Sequence, residues 1–413
     1  MSNKLRSPKT AASRDKTRRP RPTACREMAG LSLAAMGVAS MLDLIAAAGA
    51  EQVAMASDDR TGLRAIVAIH STTLGPSLGG ARFRPYRSEH EALVDVLRLA
   101  RGMTYKHALA GNDLGGGKAV LIEGPAEVDR GRLMASFGRL VDRLGGRYLT
   151  AEDVGTTRAD MDVIRTVTPH VTGVSEKFGG SGDPSPATAW GVLQAMHAVA
   201  ERQWDDPSLQ GRHVVVAGVG KVGLALAAHL AAHGARVTVA DVRPEAAHAA
   251  AALGAEVVDP QRAHAVPCDV FAPCALGATL NDQTIPQLAC QAVCGAANNQ
   301  LSTADDGARL AARGILYAPD YVVNAGGVIN IADELKGYDH DRAYARIESI
   351  RATLSRVFAW ADEHAVTPAE AADRLAEQRL AAARRLGPRA ESGPPNSSPG
   401  FSPGSSPGSS RRA

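Results

Sequence analysis

The chain has 413 residues, of which 45% are hydrophobic and 22% charged, and a formal net charge of +3. That length supports two domains with developed cores, and the composition is that of a globular protein rather than a fibrous or wholly disordered one. The basicity is concentrated at the ends: residues 1–27 hold nine Lys or Arg against Asp15 and Glu27, and the chain closes on Arg411 and Arg412. A near-neutral body of this kind offers nucleic acid no basic face.

Residues 1–27 are basic, rich in Pro, Ser and Thr and without apolar periodicity, the pattern of a disordered segment. Ala29 to Ala50 is mostly apolar, and Arg18–Arg19 upstream raises a twin-arginine export reading. Asp43 inside the run would be costly in a membrane, so the favoured reading is a first helix from about Met41, with 1–40 a foreign or mis-started extension.

RAIVAIH then reads as a β-rich run, LGPSLGGARFRPY as turn-rich, and EALVDVLRLARGMTYKHALA as a helix with Leu93, Val94, Leu97 and Ala100 at helical spacing. NDLGGGKAV follows. Three glycines there let a ligand or neighbouring strand come close, and they precede Lys118 and a buried strand, KAVLIEG. A lysine held there loses water, which lowers its pKa toward the range of a base. Lys106 stands twelve residues before it, and beyond a second helix, from about Arg130 to Leu144, TAEDVGTT offers Asp153. Two lysines and an aspartate can hold an α-carboxylate and move protons at an amino-bearing carbon.

Gly, Ser and Pro crowd residues 179–186, marking an interdomain crossing before a new helix. RHVVVAGVGKVG places a parallel-type strand, His213 to Ala217, before Gly218, Gly220 and Gly223. A helix runs on to Gly234, and a second strand ends on Asp241, eighteen residues past the third glycine. Strand, glycines, helix, strand and terminal acid form one dinucleotide-binding unit: a tight turn, a helix N-terminus for the pyrophosphate and a carboxylate for the ribose hydroxyls. Asp241 would repel a 2′-phosphate, so NAD is favoured over NADP, with Arg243 a qualifying neighbour. Further strand-helix units follow. The five cysteines form no disulfide framework; Cys268, Cys274, Cys290 and Cys294 fall in strand-like segments, where buried free thiols fit better than a metal site. That usage fits a reducing cytoplasm. Residues 342 to about 386 are helical, with Pro368 starting the last helix, and 18 of residues 388–413 are Pro, Ser or Gly, a tail that cannot build a core.

GPSLGGARF, LARGMTYK, LGGGKAV, TAEDVGTT, SPATAWGV, CALGATLND, CGAANNQL and APDYVVNAGGVINIADEL, in this order, resemble the amino-acid dehydrogenase superfamily of glutamate, leucine, phenylalanine and valine dehydrogenases, most nearly its leucine and valine branch. The likeness runs from about Met41 to Arg385. It implies an N-terminal α/β catalytic domain (41–178) and a doubly wound Rossmann domain (179–340), separated by a cleft, with C-terminal helices (341–387) packing back on both and a disordered tail (388–413). It also implies NAD-linked, reversible oxidative deamination of an L-amino acid by a homo-oligomer that needs no metal, nucleic acid or membrane.

Matched residue by residue, the resemblance makes Lys106 the binder of the substrate carboxylate. Lys118 becomes the base that activates water against an iminium intermediate, and Asp153 the group exchanging protons with the amino group. Gly79 and Gly80 lie beside the substrate, and Thr188, Lys221, Val222, Asn299 and Asn324 join the glycines and Asp241 around the cofactor. Leu78, Ala151, Val328 and Ile331 correspond to the side-chain pocket of the branched-chain enzymes. All four are aliphatic, which suits valine, leucine or isoleucine, and Ile331 in place of a common valine shortens the pocket toward valine. An aromatic substrate, or an NAD-binding homologue without activity, are the alternatives. Two positions depart from the family pattern: Asn112, usually aliphatic, and His107, commonly Asn.

Overall fold

The computed structural model describes residues 40–124 and 128–386; the readings of 1–39 and 388–413 lie outside them. The first helix, α1 (Met41–Ala48), starts where the Ser40 side chain accepts from the Asp43 backbone N–H, so Asp43 serves the helix start rather than interrupting a span. Among the described residues no helix is long and apolar enough to cross a membrane.

The first sheet contains β1 (Gln52–Asp58), β2 (Leu63–Ser71), β3 (Ser77–Arg84), β4 (Gly115–Ile122) and β5 (Tyr148–Glu152), in the order β1-β2-β4-β3-β5. β2 runs antiparallel to β1 and β4, while β3 runs parallel to β4 and β5. One face packs Leu44 of α1 and Leu93 and Leu97 of α2 (Glu89–Leu109) against Ile66 and Val120. The other packs Phe137 of α3 (Arg130–Arg143) and Met161 of α4 (Arg158–Arg165) against Val67, Ala119 and Tyr148.

Two strands differ from the sequence reading. LGPSLGGARFRPY, read as turn-rich, contains β3, an interior strand between β4 and β5, and Gln52–Asp58 forms an edge strand outside the β-rich run read from the sequence. The glycines of β3 and β4 serve close packing rather than turns. A Cβ on Gly79 would lie 1.8 Å from the Gly117 carbonyl oxygen, and one on Gly116 would lie 2.0 Å from the backbone nitrogen of Thr104. Removing these side chains lets β4 press against α2, and so brings Lys118 beneath Lys106's helix.

After α5 (Ser185–Trp204) comes a fully parallel sheet made of β6 (His213–Ala217), β7 (Arg236–Ala240), β8 (Glu256–Val257), β9 (Cys268–Pro273), β10 (Cys290–Val293) and β11 (Leu316–Tyr317). Its order is β11-β10-β9-β6-β7-β8, the doubly wound arrangement with its switch point between β6 and β9. α6 (Lys221–Ala232), α7 (Pro244–Ala251) and α8 (Asp305–Ala312) join these strands. The short helices α9 (Asp320–Val323) and α10 (Gly326–Asp333) follow. α11 (His340–His364) joins the core of the parallel-sheet region through Ile347, Ile350 and Leu354. α12 (Pro368–Leu386) returns to α2, where Glu377 accepts from the Tyr105 hydroxyl at 3.1 Å.

Candidate active site

Lys118 emerges from the middle of β4, 5% exposed, and its Nζ lies 2.8 Å from Asp153 Oδ1 in the loop after β5. The loop is pinned from both sides. The Asp153 backbone N–H donates to Thr156 Oγ1 at 2.9 Å, and that hydroxyl donates to the Ala81 carbonyl at 2.8 Å. Gly80 makes the approach possible, since a Cβ there would lie 2.8 Å from the Asp153 Cβ.

The second carboxylate oxygen is held by a residue the sequence did not single out: Arg82 Nε donates to Asp153 Oδ2 at 2.9 Å. Arg82 Nη1 also donates to Asp95 Oδ2 at 3.1 Å, which accepts in turn from the Tyr86 hydroxyl. Burial pushes the Asp153 carboxyl up, but Lys118 and Arg82 outweigh it and hold the group below its ordinary range. Replacing Arg82 by Met, which keeps the stem and removes the charge, is expected to cost ~2–4 kcal/mol, because it leaves two poorly solvated carboxylates short of a partner. Urea unfolding checks this, and a loss below ~0.5 kcal/mol would show that the arginine is not what holds the pair.

Lys106, in the last turn of α2, is 9% exposed and donates to Asn298 Oδ1 at 3.0 Å. The same oxygen accepts from Asn324 Nδ2 at 2.8 Å, so the two sheet regions meet at this amide. Both amines are buried, but their neighbours differ. In the structure a carboxylate faces Lys118, while Lys106 meets a neutral amide and burial lowers its pKa to about 8. The carboxylate of Asp320 raises it in part and nearby Lys118 lowers it further. Asp320 is itself buried and accepts from the backbone N–H groups of Gln300 and Tyr321 at 3.0 and 2.7 Å. Asn298 and Asp320 were missed. The neighbouring Asn299, which the resemblance assigns to the cofactor, sits at φ +53, and its backbone oxygen accepts from the Ala278 N–H.

Of the four aliphatic positions, Leu78, Ala151 and Ile331 share one buried cluster with Leu114, Leu149 and Ala332. Val328 is set apart, partly buried against the core of the parallel-sheet region.

The residues proposed for the dinucleotide fit such a group. Gly218 has φ +105 and lies so close to Ala275 that a Cβ would stand 2.6 Å from its side chain; a Cβ on Gly223 would stand 1.9 Å from the Gly218 oxygen. Gly220 precedes the first residue of α6, Lys221, which is paired with Asp183 at 3.0 Å, and Val222 follows it. Asp241, just beyond β7, accepts from the Val219 N–H at 2.8 Å and from Arg243 Nε at 3.1 Å. Thr188, on the first turn of α5, bonds the Pro184 carbonyl at 3.0 Å. Asn324 keeps a buried Oδ1 without a hydrogen-bond partner, a vacancy suited to an amide N–H. The cysteines of the strand segments are free thiols. No cluster of three or more His, Cys, Asp or Glu able to hold a metal occurs among the described residues.

A mixed-sheet domain and a parallel Rossmann-like domain, with amines and a carboxylate gathered where they meet, define an amino-acid dehydrogenase, an oxidoreductase. The model of the Glu/Leu/Phe/Val dehydrogenase dimerisation domain matches residues 50–170, and that of glutamate/leucine/phenylalanine/valine dehydrogenase matches 179–244 and 241–387. The chain belongs to this family. It is 52% identical over 331 residues to a leucine dehydrogenase of Geobacillus stearothermophilus, covering 80% of this chain and 90% of that protein. It is also 52% identical over 340 residues to a valine dehydrogenase of Streptomyces coelicolor, covering 81% and 93%. Among solved structures, the L-tryptophan dehydrogenase of Nostoc punctiforme matches with a TM-score of 0.74 and 41% identity, over 84% of this chain and all of that one. Family members generally use a nicotinamide cofactor and act on small molecules.

Proposed function

We propose that the enzyme catalyses the NAD-dependent, reversible oxidative deamination of valine, leucine and isoleucine to their 2-oxo acids and ammonium. The observation that carries the choice of substrate is the buried aliphatic cluster of Leu78, Ala151 and Ile331. Gly79 and Gly80 follow Leu78 on β3 and lead to Asp153 and Lys118. Such a wall accepts a branched aliphatic side chain and gives a second carboxylate no cation.

In this reading Lys106 binds the α-carboxylate, exchanging the Asn298 amide for a charged acceptor. NAD, held by Gly218, Gly220, Gly223 and Asp241, would supply the acceptor for the hydride leaving Cα. Asp153 exchanges protons with the amino group, and Lys118 removes the proton from the water that attacks the iminium carbon. Their 2.8 Å contact places the two groups to act together, with Arg82 holding the far oxygen of Asp153. The preference for NAD is supported by Asp241, whose charge disfavours a 2′-phosphate, and by Arg243, which is already engaged with that carboxylate. We assign the substrate-binding domain to 41–178, the dinucleotide domain to 179–340 and the returning helices to 341–387. We further assign the protein to the cytoplasm, as a homo-oligomer built through the first domain, the region whose matching family model is described as a dimerisation domain.

The solved relative named as a tryptophan dehydrogenase supports a second reading, the same chemistry on an aromatic substrate. Both are tested by supplying NADH and ammonium with 3-methyl-2-oxobutanoate, 4-methyl-2-oxopentanoate, phenylpyruvate or 2-oxoglutarate in turn and following NADH absorbance. The first two acids are expected to react fastest, and NADPH to serve poorly. Faster oxidation with phenylpyruvate would replace the aliphatic reading, and none with any acid, while NADH still binds, would remove the assigned activity.

A further inference from the structure

His107 and Asn112, the two departures from the family pattern, are bonded to each other. His107 is fully buried at the end of α2 and Asn112 is 1% exposed in the turn before β4. His107 Nε2 lies 3.2 Å from the Leu78 carbonyl oxygen, which can only accept, so this nitrogen carries the proton. Nδ1 is then an acceptor, and it meets Asn112 Nδ2 at 3.0 Å. The amide oxygen of Asn112 faces outward and accepts from Arg346 Nη2 of α11 at 2.5 Å. Every donor along the line thus finds an acceptor in one direction: Arg346 to Asn112, Asn112 to His107, His107 to Leu78.

A second arginine fixes the same turn. Arg379 of α12 donates to the carbonyls of Ala108 at 2.6 Å and Asn112 at 3.0 Å. Burial lowers the His107 pKa to about 4, with Lys106 and Arg379 adding to the effect, so the ring is neutral through the physiological range and the tautomer is stable. Leu78 belongs to the aliphatic cluster, and Lys106 precedes His107.

We propose that Arg346, Asn112 and His107 form a buried positioning chain that ties the C-terminal helix α11 to the Leu78 wall and to Lys106, and so sets the depth of the substrate side-chain pocket. The inference rests on the amino-acid dehydrogenase reading and its aliphatic pocket. All three are positioning residues rather than catalytic ones. They act through the placement of β3 and of the end of α2, where a shift of a few tenths of an ångström changes the room for one methyl group.

The test compares wild type with His107→Asn, Asn112→Leu, the double variant and Arg346→Met. The readouts are kcat and KM for 3-methyl-2-oxobutanoate and 4-methyl-2-oxopentanoate, with NADH affinity as the control for an intact second domain. The ratio of kcat/KM between the two acids is expected to change by ~3-fold or more in each single variant, mainly through KM, since one methylene is worth up to ~10–200-fold in such a pocket. The double variant is expected to match the worse single variant rather than the product of both, because each breaks the same line. A variant that only loosened the fold would lower turnover on both acids alike. Unchanged ratios, or effects that multiply, overturn the positioning chain. If the buried variants fail to fold, Arg346→Met, whose side chain is only partly buried, carries the same comparison. A wild type inactive on both acids refutes the substrate reading instead, so the two failures are distinct.

Discussion

Replacing Lys118 by alanine is expected to lower kcat by ~10²–10⁴-fold, the range over which a positioned proton-transfer group acts. KM for the 2-oxo acid should move much less, because the carboxylate is assigned to Lys106 and the side chain to the Leu78 cluster. The reason for expecting the effect in kcat is geometric. Lys118 is 5% exposed on a central strand, and among the described residues its carboxylate partner is Asp153 at 2.8 Å, so water cannot replace it as a base of fixed position. The variant should still fold, since Asp153 retains Arg82 at 2.9 Å and the Thr156 hydroxyl on its backbone. Steady-state kinetics with NADH binding measured in parallel decide the matter. Turnover within ~3-fold of wild type would remove the lysine from the chemistry, and a loss confined to KM would move it to binding.

That lysine and its aspartate are legible in the sequence, and the reason is local. Glycines before Lys118 and apolar residues after it left no route to solvent, and Asp153 stood at the end of a short strand, where a parallel arrangement presents its side chains. The strand from His213 to Ala217, the glycines at 218, 220 and 223 and Asp241 were readable for the same reason: each follows from a turn that only glycine can make or a strand end that faces a ligand. Arg82 was not readable. It sits on a strand whose glycines looked like turn residues, and nothing along the chain reveals that Asp153, 71 residues away, shares its guanidinium. His107 and Asn112 each looked like an isolated departure, and only the turn between α2 and β4 makes them partners. Asn298 was not readable either, because nothing along CGAANNQL shows which asparagine turns its amide to Lys106 on another element. Local pattern identifies residues held by their own element, whereas partners brought from another element must be seen in place.

The second large effect concerns Lys106 and pH. An unreactive carboxylate such as 4-methylpentanoate is expected to bind the NADH-loaded enzyme with a Kd that is flat below about pH 8 and rises ~10-fold per unit above it, because only the ammonium form of Lys106 pairs with the ligand. Burial is the main cause of the lowered value, and a bound carboxylate opposes it, so binding should take up protons near pH 8. Lys106→Met should weaken binding by ~10–100-fold at pH 7 and abolish the limb, since a hydrogen bond to a charged group is worth ~1.5–3 kcal/mol. The same shift has a consequence for stability. A lysine whose pKa falls from 10.5 in the unfolded chain to about 8 in the folded one binds its proton more tightly when unfolded, so this group destabilises the free protein fully below pH 8. That cost fades as pH rises from about 8 to 10.5, and the wild type should gain stability relative to Lys106→Met across that window. Isothermal titration across pH 6.5–9.5 and urea melts of both proteins measure the two sides of one linkage. A wild-type Kd without a limb near pH 8, together with equal pH dependence of stability in the two proteins, would mean that the amine of Lys106 is not the group that charges to hold the substrate.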